Sequence, residues 1–127
     1  MEKRIGTVGF IVNNNKVLLA HIQYPEGKKL WNGIGGFVNK GEKLEDALIR
    51  EISEETYIQV SKDEVRLVKE LDEDIRLLIF KINNWKGELK IKDSSIKELR
   101  WFKFDEIPFS EMHDGNEKWL PDLLKTP

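Results

Sequence analysis

Apolar residues near the start of the chain fall into two runs separated by a polar pair. Ile5–Asn13 (IGTVGFIVN) and Lys16–Gln23 (KVLLAHIQ) are rich in Val, Ile, Leu and Phe, residue types that suit a pleated, buried surface. Asn14 and Asn15 between them supply the chemistry of a tight hairpin turn. The stretch 24–30, with Pro25 and Gly27, reads as a loop. A different period begins at Leu44, where Leu44, Ala47, Leu48 and Ile52 recur at helical spacing in a segment free of Gly and Pro. This predicts a helix over Leu44–Thr56. Beyond it, 65–71 and 75–82 read as strands, 83–87 as a turn followed by a short segment 88–92, and 99–104 as the last strand. Pro108 closes a short turn, and Asn116–Lys125 predicts a final helix with Pro121 near its start or in a kink. Strands and helices in this order predict an α/β fold, a mixed sheet with helices packed on its faces.

The first helix carries acid where a helix usually carries core. At about 100° per residue, Glu54 falls roughly 60° to one side of Glu51 and Glu55 roughly 40° to the other. Leu44, Ala47 and Leu48 occupy the same stripe, while Asp46, Ser53 and Thr56 are expected to point to water. A solvated charged face is the ordinary explanation for clustered glutamates. On a core-facing stripe, however, a carboxylate must be paired or bound to a cation. Three such groups repel one another, and oxygen ligands of this kind suit Mg²⁺ or Mn²⁺. The chain has no cysteine and only two histidines, which excludes a thiolate site and argues against a multi-histidine one.

Composition narrows the class further. At 127 residues and 39% hydrophobic content, one domain over 1–127 with one core is expected. The 21 basic and 23 acidic residues nearly cancel, so nothing points to a nucleic-acid polymer, and no basic amphipathic stretch points to a membrane. The N-terminal stretch lacks a long apolar run and a cleavage site, which predicts a cytoplasmic rather than a secreted protein.

The segment GFVNKGEKLEDALIREISEETYI, residues 36–58, is similar to the signature of the Nudix hydrolases, G-x5-E-x7-R-E-U-x-E-E-x-G-U, with U a bulky aliphatic residue. Eight of its nine specified positions match, and Tyr57 stands where the family has glycine. Many fixed positions make such a pattern specific. The resemblance implies a Nudix-type α/β/α sandwich with a mixed β-sheet, and a metal held by Gly36, Glu51, Glu54 and Glu55. Gly36 would let backbone approach metal or phosphate closely. Arg50 could pair with Asp46 on the helix surface or orient a carboxylate through its fork; the resemblance favours orientation, with Glu42 as partner. Tyr57 implies either a helix that runs slightly further or an exit in another geometry.

Two further segments, KLWNGIGGFVNKGE and WFKFDEIPFSEMHDGNEKWLPDLL, resemble the MutT-type oxidised-purine nucleoside triphosphatases. Carried over by position, Asn32 would hydrogen-bond the purine, with Gly35 and Gly36 beside it. Trp119 would stand near the pocket wall, and residues 112–116, including His113, Asp114 and Asn116, would form the rim. Asn32 could also simply shape a turn before Gly33, and His21 reads as structural. The branch has two adjacent aspartates where this chain has Gly115 and Asn116, and an acid where Ile96 stands; Asp93 or Glu98 could substitute.

The resemblance thus implies a Mg²⁺-dependent pyrophosphohydrolase (Mn²⁺ as an alternative ion). It would cleave a purine nucleoside triphosphate, oxidised at the base as in 8-oxo-dGTP, to the monophosphate and pyrophosphate, as a monomer or homodimer. Glu54 is the first choice for the base and Glu98 the second, with Arg50 in the catalytic group. ADP-ribose or another nucleoside diphosphate derivative is the alternative substrate. A non-catalytic nucleotide-binding module is the alternative class, and it would be expected to have lost one of the three glutamates.

Overall fold

The computed structural model describes residues 3–125; the two residues at each end of the expected 1–127 domain lie outside that description. Strands β1 (Ile5–Asn13) and β2 (Lys16–Gln23) form an antiparallel hairpin, with Asn14 and Asn15 at φ 51° and 63°. Asparagine tolerates this left-handed backbone better than most residues do. The stretch expected to be all loop also yields a short strand, β3 (Lys29–Asn32), antiparallel to β2. Four residues carry too little periodicity to announce a strand, and tertiary pairing decides this one.

Helix α1 (Leu44–Thr56) follows, then β4 (Val65–Asp72), β5 (Arg76–Ile82), β6 (Ile96–Lys103) and helix α2 (Asn116–Lys125). β6 begins at Ile96 rather than Leu99, because Ile96 pairs with Ile22 across a bulge in β2. The sheet order is β3-β2-β1-β5-β4, with β6 on β2. β1 and β5 are parallel, and the other pairs are antiparallel.

Each face of the sheet covers a separate core, which is why β1 and β5 read as nearly unbroken apolar runs. Val8, Phe10, Val12, Val17, Leu19, Trp31 and Ile79 pack with Met112, Leu120, Leu123 and Leu124 of the C-terminal segment. Ile11, Leu18, Ala20, Leu78, Phe80 and Ile82 pack with Ile34 and with Leu48 and Ile52 of α1. This mixed sheet between flanking helices is the α/β/α sandwich. Among the described residues no helix is long and apolar enough to cross a membrane.

Beyond β3 the chain leaves β2 and crosses to β1. Ile34 exchanges both backbone hydrogen bonds with Gly9, and Thr7 N–H donates to Gly36 O at 2.8 Å. The crossing is too close for side chains. A Cβ on Gly35 would lie 2.0 Å from Thr7 O, and one on Gly33 would lie 2.6 Å from Gly9 O.

The end of α1 departs from expectation twice. Thr56 is buried, not turned to water; its hydroxyl donates to Ile52 O at 2.7 Å. The backbone strap at Lys90 and Lys92 lies over it, donating to Thr56 O and Glu55 O. Tyr57 neither extends the helix nor avoids the left-handed exit: it takes that conformation itself, at φ 66°. Its N–H caps Ser53 O, and Lys92 sits 4.6 Å above its ring, contacts that offset a conformational cost of about 1 kcal/mol.

The glycine crossing gives a direct test. Gly35→Ala should destabilise the fold by roughly 2 kcal/mol or more, read as a lower midpoint in urea, whereas Gly41→Ala should cost only about 1 kcal/mol, from its left-handed φ of 81°, because no atom crowds that position.

Candidate active site

The glycine crossing and α1 meet at Gly36. A Cβ there would lie 2.5 Å from the Glu51 carboxylate, so bare backbone is what allows this acid to pack against the loop. Thr7 fixes the loop from behind, donating N–H and Oγ1–H to Gly36 O at 2.8 and 2.9 Å. The Gly36 carbonyl thus points back to Thr7 in this arrangement, while its missing side chain makes room for Glu51.

Arg50 organises the acids. Its Nε and Nη2 grip Glu42 at 2.8 and 3.1 Å, and Nη2 also donates to Phe37 O at 3.1 Å. Nη1 reaches Glu51 at 2.9 Å and Glu54 at 3.3 Å. Glu42 accepts Asn39 N–H as well. The Arg50 fork, then that backbone donor, hold its carboxyl below the ordinary value, while the acids push the Arg50 pKa up. Asp46 pairs with Lys62 instead of Arg50. One guanidinium therefore ties the approach loop to the helix and fixes where Glu51 points.

Glu55 is the acid under most stress. It is 9% exposed, and its Oε2 has no hydrogen-bond partner. Burial raises its pKa from 4.5 to about 8, helped by the charges of Glu51 and Asp93 and by a hydrogen bond with Glu51. A carboxyl this buried beside a second acid, with one oxygen left unpartnered, has the chemistry of a group that binds a cation. Among the described residues, no three acidic, histidine or cysteine side chains already converge on one point. Glu54 is turned outward to Arg50 and is 58% exposed. Glu51 and Glu55 form the pair that would hold the ion, with Glu54 within reach of their edge.

Glu98 lies elsewhere. It sits opposite His21 in the sheet and is ion-paired to Arg100 at 2.6 Å, whose guanidinium also faces Trp31 and Phe102. Asp93 is the additional acid whose charge reaches Glu55. Its own Oδ1 accepts the N–H and hydroxyl of Ser95, which sets the turn into β6.

The rim residues divide into several roles. Asn32 Oδ1 accepts Gly33 N–H at 2.8 Å, so it shapes the turn as well as presenting an amide. His21 stacks on Trp31, with centroids 4.4 Å apart, a structural contact. Trp119 packs edge-on against Phe10 at 6.0 Å. Asn116 is buried at the start of α2, whereas His113 and Asp114 are exposed. Gly115, at φ 96°, makes the bend between them.

Tyr24 is the site residue that sequence reading missed. Its hydroxyl lies 3.1 Å from His113 Nε2, and its electrostatic neighbours include Asn32 and Glu55. An aromatic in a Pro–Gly loop gives no periodic signal, so only the folded loop brings it here.

A buried acid beside a half-buried one that lies against bare backbone and is oriented by one arginine is the equipment of a hydrolase that works on phosphate anhydrides through a divalent cation. Residues 3–123 match the NUDIX domain, and the chain belongs to that family, whose hydrolases depend on divalent metal. It is 34% identical over 126 residues to the "Oxidized purine nucleoside triphosphate hydrolase" of Danio rerio, covering 94% of this chain and 78% of that one. It is 32% identical over 130 residues to the "ADP-ribose pyrophosphatase" of Methanocaldococcus jannaschii, covering 98% of this chain and 75% of that one. The MutT NUDIX hydrolase of Burkholderia pseudomallei has the same fold, with a TM-score of 0.80, 24% identity, and 99% and 100% of the two chains covered.

Glu55 links pH to stability. Its folded pKa of about 8 exceeds the ordinary 4.5, so the folded state binds the proton more tightly. In EDTA its contribution is complete below pH 4.5 and is lost as pH rises to about 8. Native protein should lose roughly 2–4 kcal/mol more than Glu55→Gln across that window, read from urea melts of both. With metal present, Glu55→Gln should lower kcat about a hundredfold or more while remaining folded by circular dichroism.

Proposed function

We propose that this protein is a Mg²⁺-dependent pyrophosphohydrolase that cleaves a purine nucleoside triphosphate, oxidised at the base, to the monophosphate and pyrophosphate. The observation that carries this reading is the Glu51–Glu55 pair, with Glu51 against the bare backbone of Gly36 and a buried, unpartnered oxygen on Glu55. A divalent ion held there supplies charge neutralisation at the phosphoryl oxygens and a lowered pKa for coordinated water. Oxygen-only donors suit Mg²⁺, with Mn²⁺ as an alternative.

The chain's own residues do the positioning. Arg50 holds Glu51 in one orientation and ties the loop to the helix, so a diphosphate meets a fixed surface instead of mobile acids. Glu54 is exposed at the edge of the pair, where a carboxylate can take a proton from water that attacks phosphorus. Glu98 is engaged by Arg100, which favours Glu54 over it as the base. Asn32 offers an amide to the base edge, with Trp119 at the pocket wall and His113, Asp114 and Asn116 at the rim. A hydrogen-bonding edge of this kind rejects a mismatched base by leaving polar groups unpaired.

The purine substrate draws on the resemblance to the Danio rerio protein; the Methanocaldococcus jannaschii relative favours ADP-ribose as the second reading. A cytoplasmic nucleotide pool suits either substrate. A panel of 8-oxo-dGTP, dGTP, dATP, dCTP and ADP-ribose with Mg²⁺ distinguishes them. The expected result is release of pyrophosphate, not orthophosphate, with the highest kcat/KM for a purine triphosphate. Asn32→Ala should reduce the purine preference about tenfold or more. A preference for ADP-ribose or a pyrimidine triphosphate overturns the assignment.

A further inference from the structure

Arg50 is fully engaged by the acid site. Its Nε, Nη1 and Nη2 donate to Glu42, Glu51, Glu54 and Phe37 O, which leaves it little to offer a phosphate. A triphosphate carries more negative charge than one divalent ion offsets, and a further cation at its oxygens is the usual remedy. Arg4 is placed to be that cation. Its guanidinium carbon lies 3.5 Å from the centre of the Phe37 ring, close enough for cation–π attraction.

The cations beside Arg4 are already matched with acids: Lys3 pairs with Asp72 at 2.7 Å, and Arg76 pairs with Glu70. Arg4 has no ion pair among the described residues. Its platform, by contrast, is tied to the site. Phe37 directly follows Gly36 and is the antiparallel bridge partner of Gly6. Its carbonyl accepts Arg50 Nη2 at 3.1 Å, and Val38 N–H donates to Ile5 O at 2.9 Å. The ring is 36% exposed, so its open face can seat a side chain. The arginine that orients Glu51 therefore also anchors the residue that carries Arg4.

We propose that Arg4, seated on Phe37, binds the polyphosphate of the substrate at the Gly36 edge of the acid site. The proposal rests on the nucleotide reading above and adds a contact that does not depend on the base. A guanidinium stacked by one face keeps its N–H edge free, and that edge matches two phosphate oxygens at once. Stacking also restrains a long side chain, which reduces the entropy lost on binding.

Arg4→Gln should raise KM roughly five- to thirtyfold, between the effects of an exposed ion pair and a charged hydrogen bond. The factor should be similar for 8-oxo-dGTP, dGTP, dATP and ADP-ribose, with kcat little changed. Arg4→Lys should recover only part of the loss, because charge returns without the fork. Phe37→Leu, which removes the platform and keeps the guanidinium, should raise KM by a smaller factor. Lys3→Gln, which removes a neighbouring charge already paired, should leave KM near native. Isothermal titration with inorganic pyrophosphate in Mg²⁺ reads the contact without turnover, and Kd should weaken in Arg4→Gln by a factor like that in KM.

Pyrophosphate that binds native and Arg4→Gln protein equally, or binds neither, overturns the proposal. So does an equal rise in KM for Lys3→Gln, which would mark a general field, or a loss confined to one base. A fall in kcat with KM unchanged also overturns it. A native chain that prefers ADP-ribose overturns the substrate assignment, while pyrophosphate affinity still decides the role of Arg4.

Discussion

The whole arrangement depends on how closely the backbone at residues 33–36 lies against β1. Thr7 O and the Gly35 α-carbon are so near that no side chain fits between them, and the hydrogen bonds from Thr7 and Gly9 hold the crossing there. Two consequences follow from this single contact. Ile34 is delivered into the core beneath α1, which fixes the height of the helix over the sheet. Gly36 is left as bare backbone against Glu51, so the helix can bring an acid to the loop instead of only an apolar side chain. Asn32, immediately before the crossing, is placed on the opposite side of the same turn.

Against that frame, α1 is stable in spite of its acids. Leu48 and Ile52 bury its inner face, and this packing supplies the stabilisation that a lone helix of its length lacks. Glu51 and Glu55 lie together at the end of the same stripe; burial and the charge of Glu51 push the Glu55 pKa up, and Arg50 reaches Glu51. The site thus stores an electrostatic conflict that a cation resolves. Such conflicts concentrate where proteins do chemistry, and they are retained because surrounding packing holds the groups in place.

The acids and the residues proposed to meet the base come from separate structural units. Glu51, Glu54 and Glu55 belong to α1, while Asn32, His113 and Trp119 come from β3, the loop before α2 and α2 itself. Relatives with purine triphosphate and ADP-ribose in their names are consistent with that division. One anhydride-cleaving platform can serve different nucleotides when only the second unit changes.

The hairpin of β1 and β2, the span of α1 and the stripe that Glu55 shares with the core residues of that helix were legible in the sequence, because each depends on local periodicity and turn chemistry; Glu54, expected on the same stripe, is turned outward. The same holds for α2, whose bounds match expectation despite Pro121. What tertiary structure alone decided involves groups distant in sequence. β3 exists because β2 offers it an edge, not because four residues announce a strand. Thr56 is buried because residues 90–92 return over the helix end, and no helical angle could reveal that strap. Tyr57 replaces a glycine yet keeps glycine's conformation, with Lys92 over its ring. Glu98 and Asp93 were equivalent as isolated acids; Arg100 engages one, and the turn into β6 carries the other toward Glu55. Tyr24 and His113 meet across 89 positions of sequence. Spacing along a chain reports which side chains share a face, whereas only the closed fold determines which faces meet.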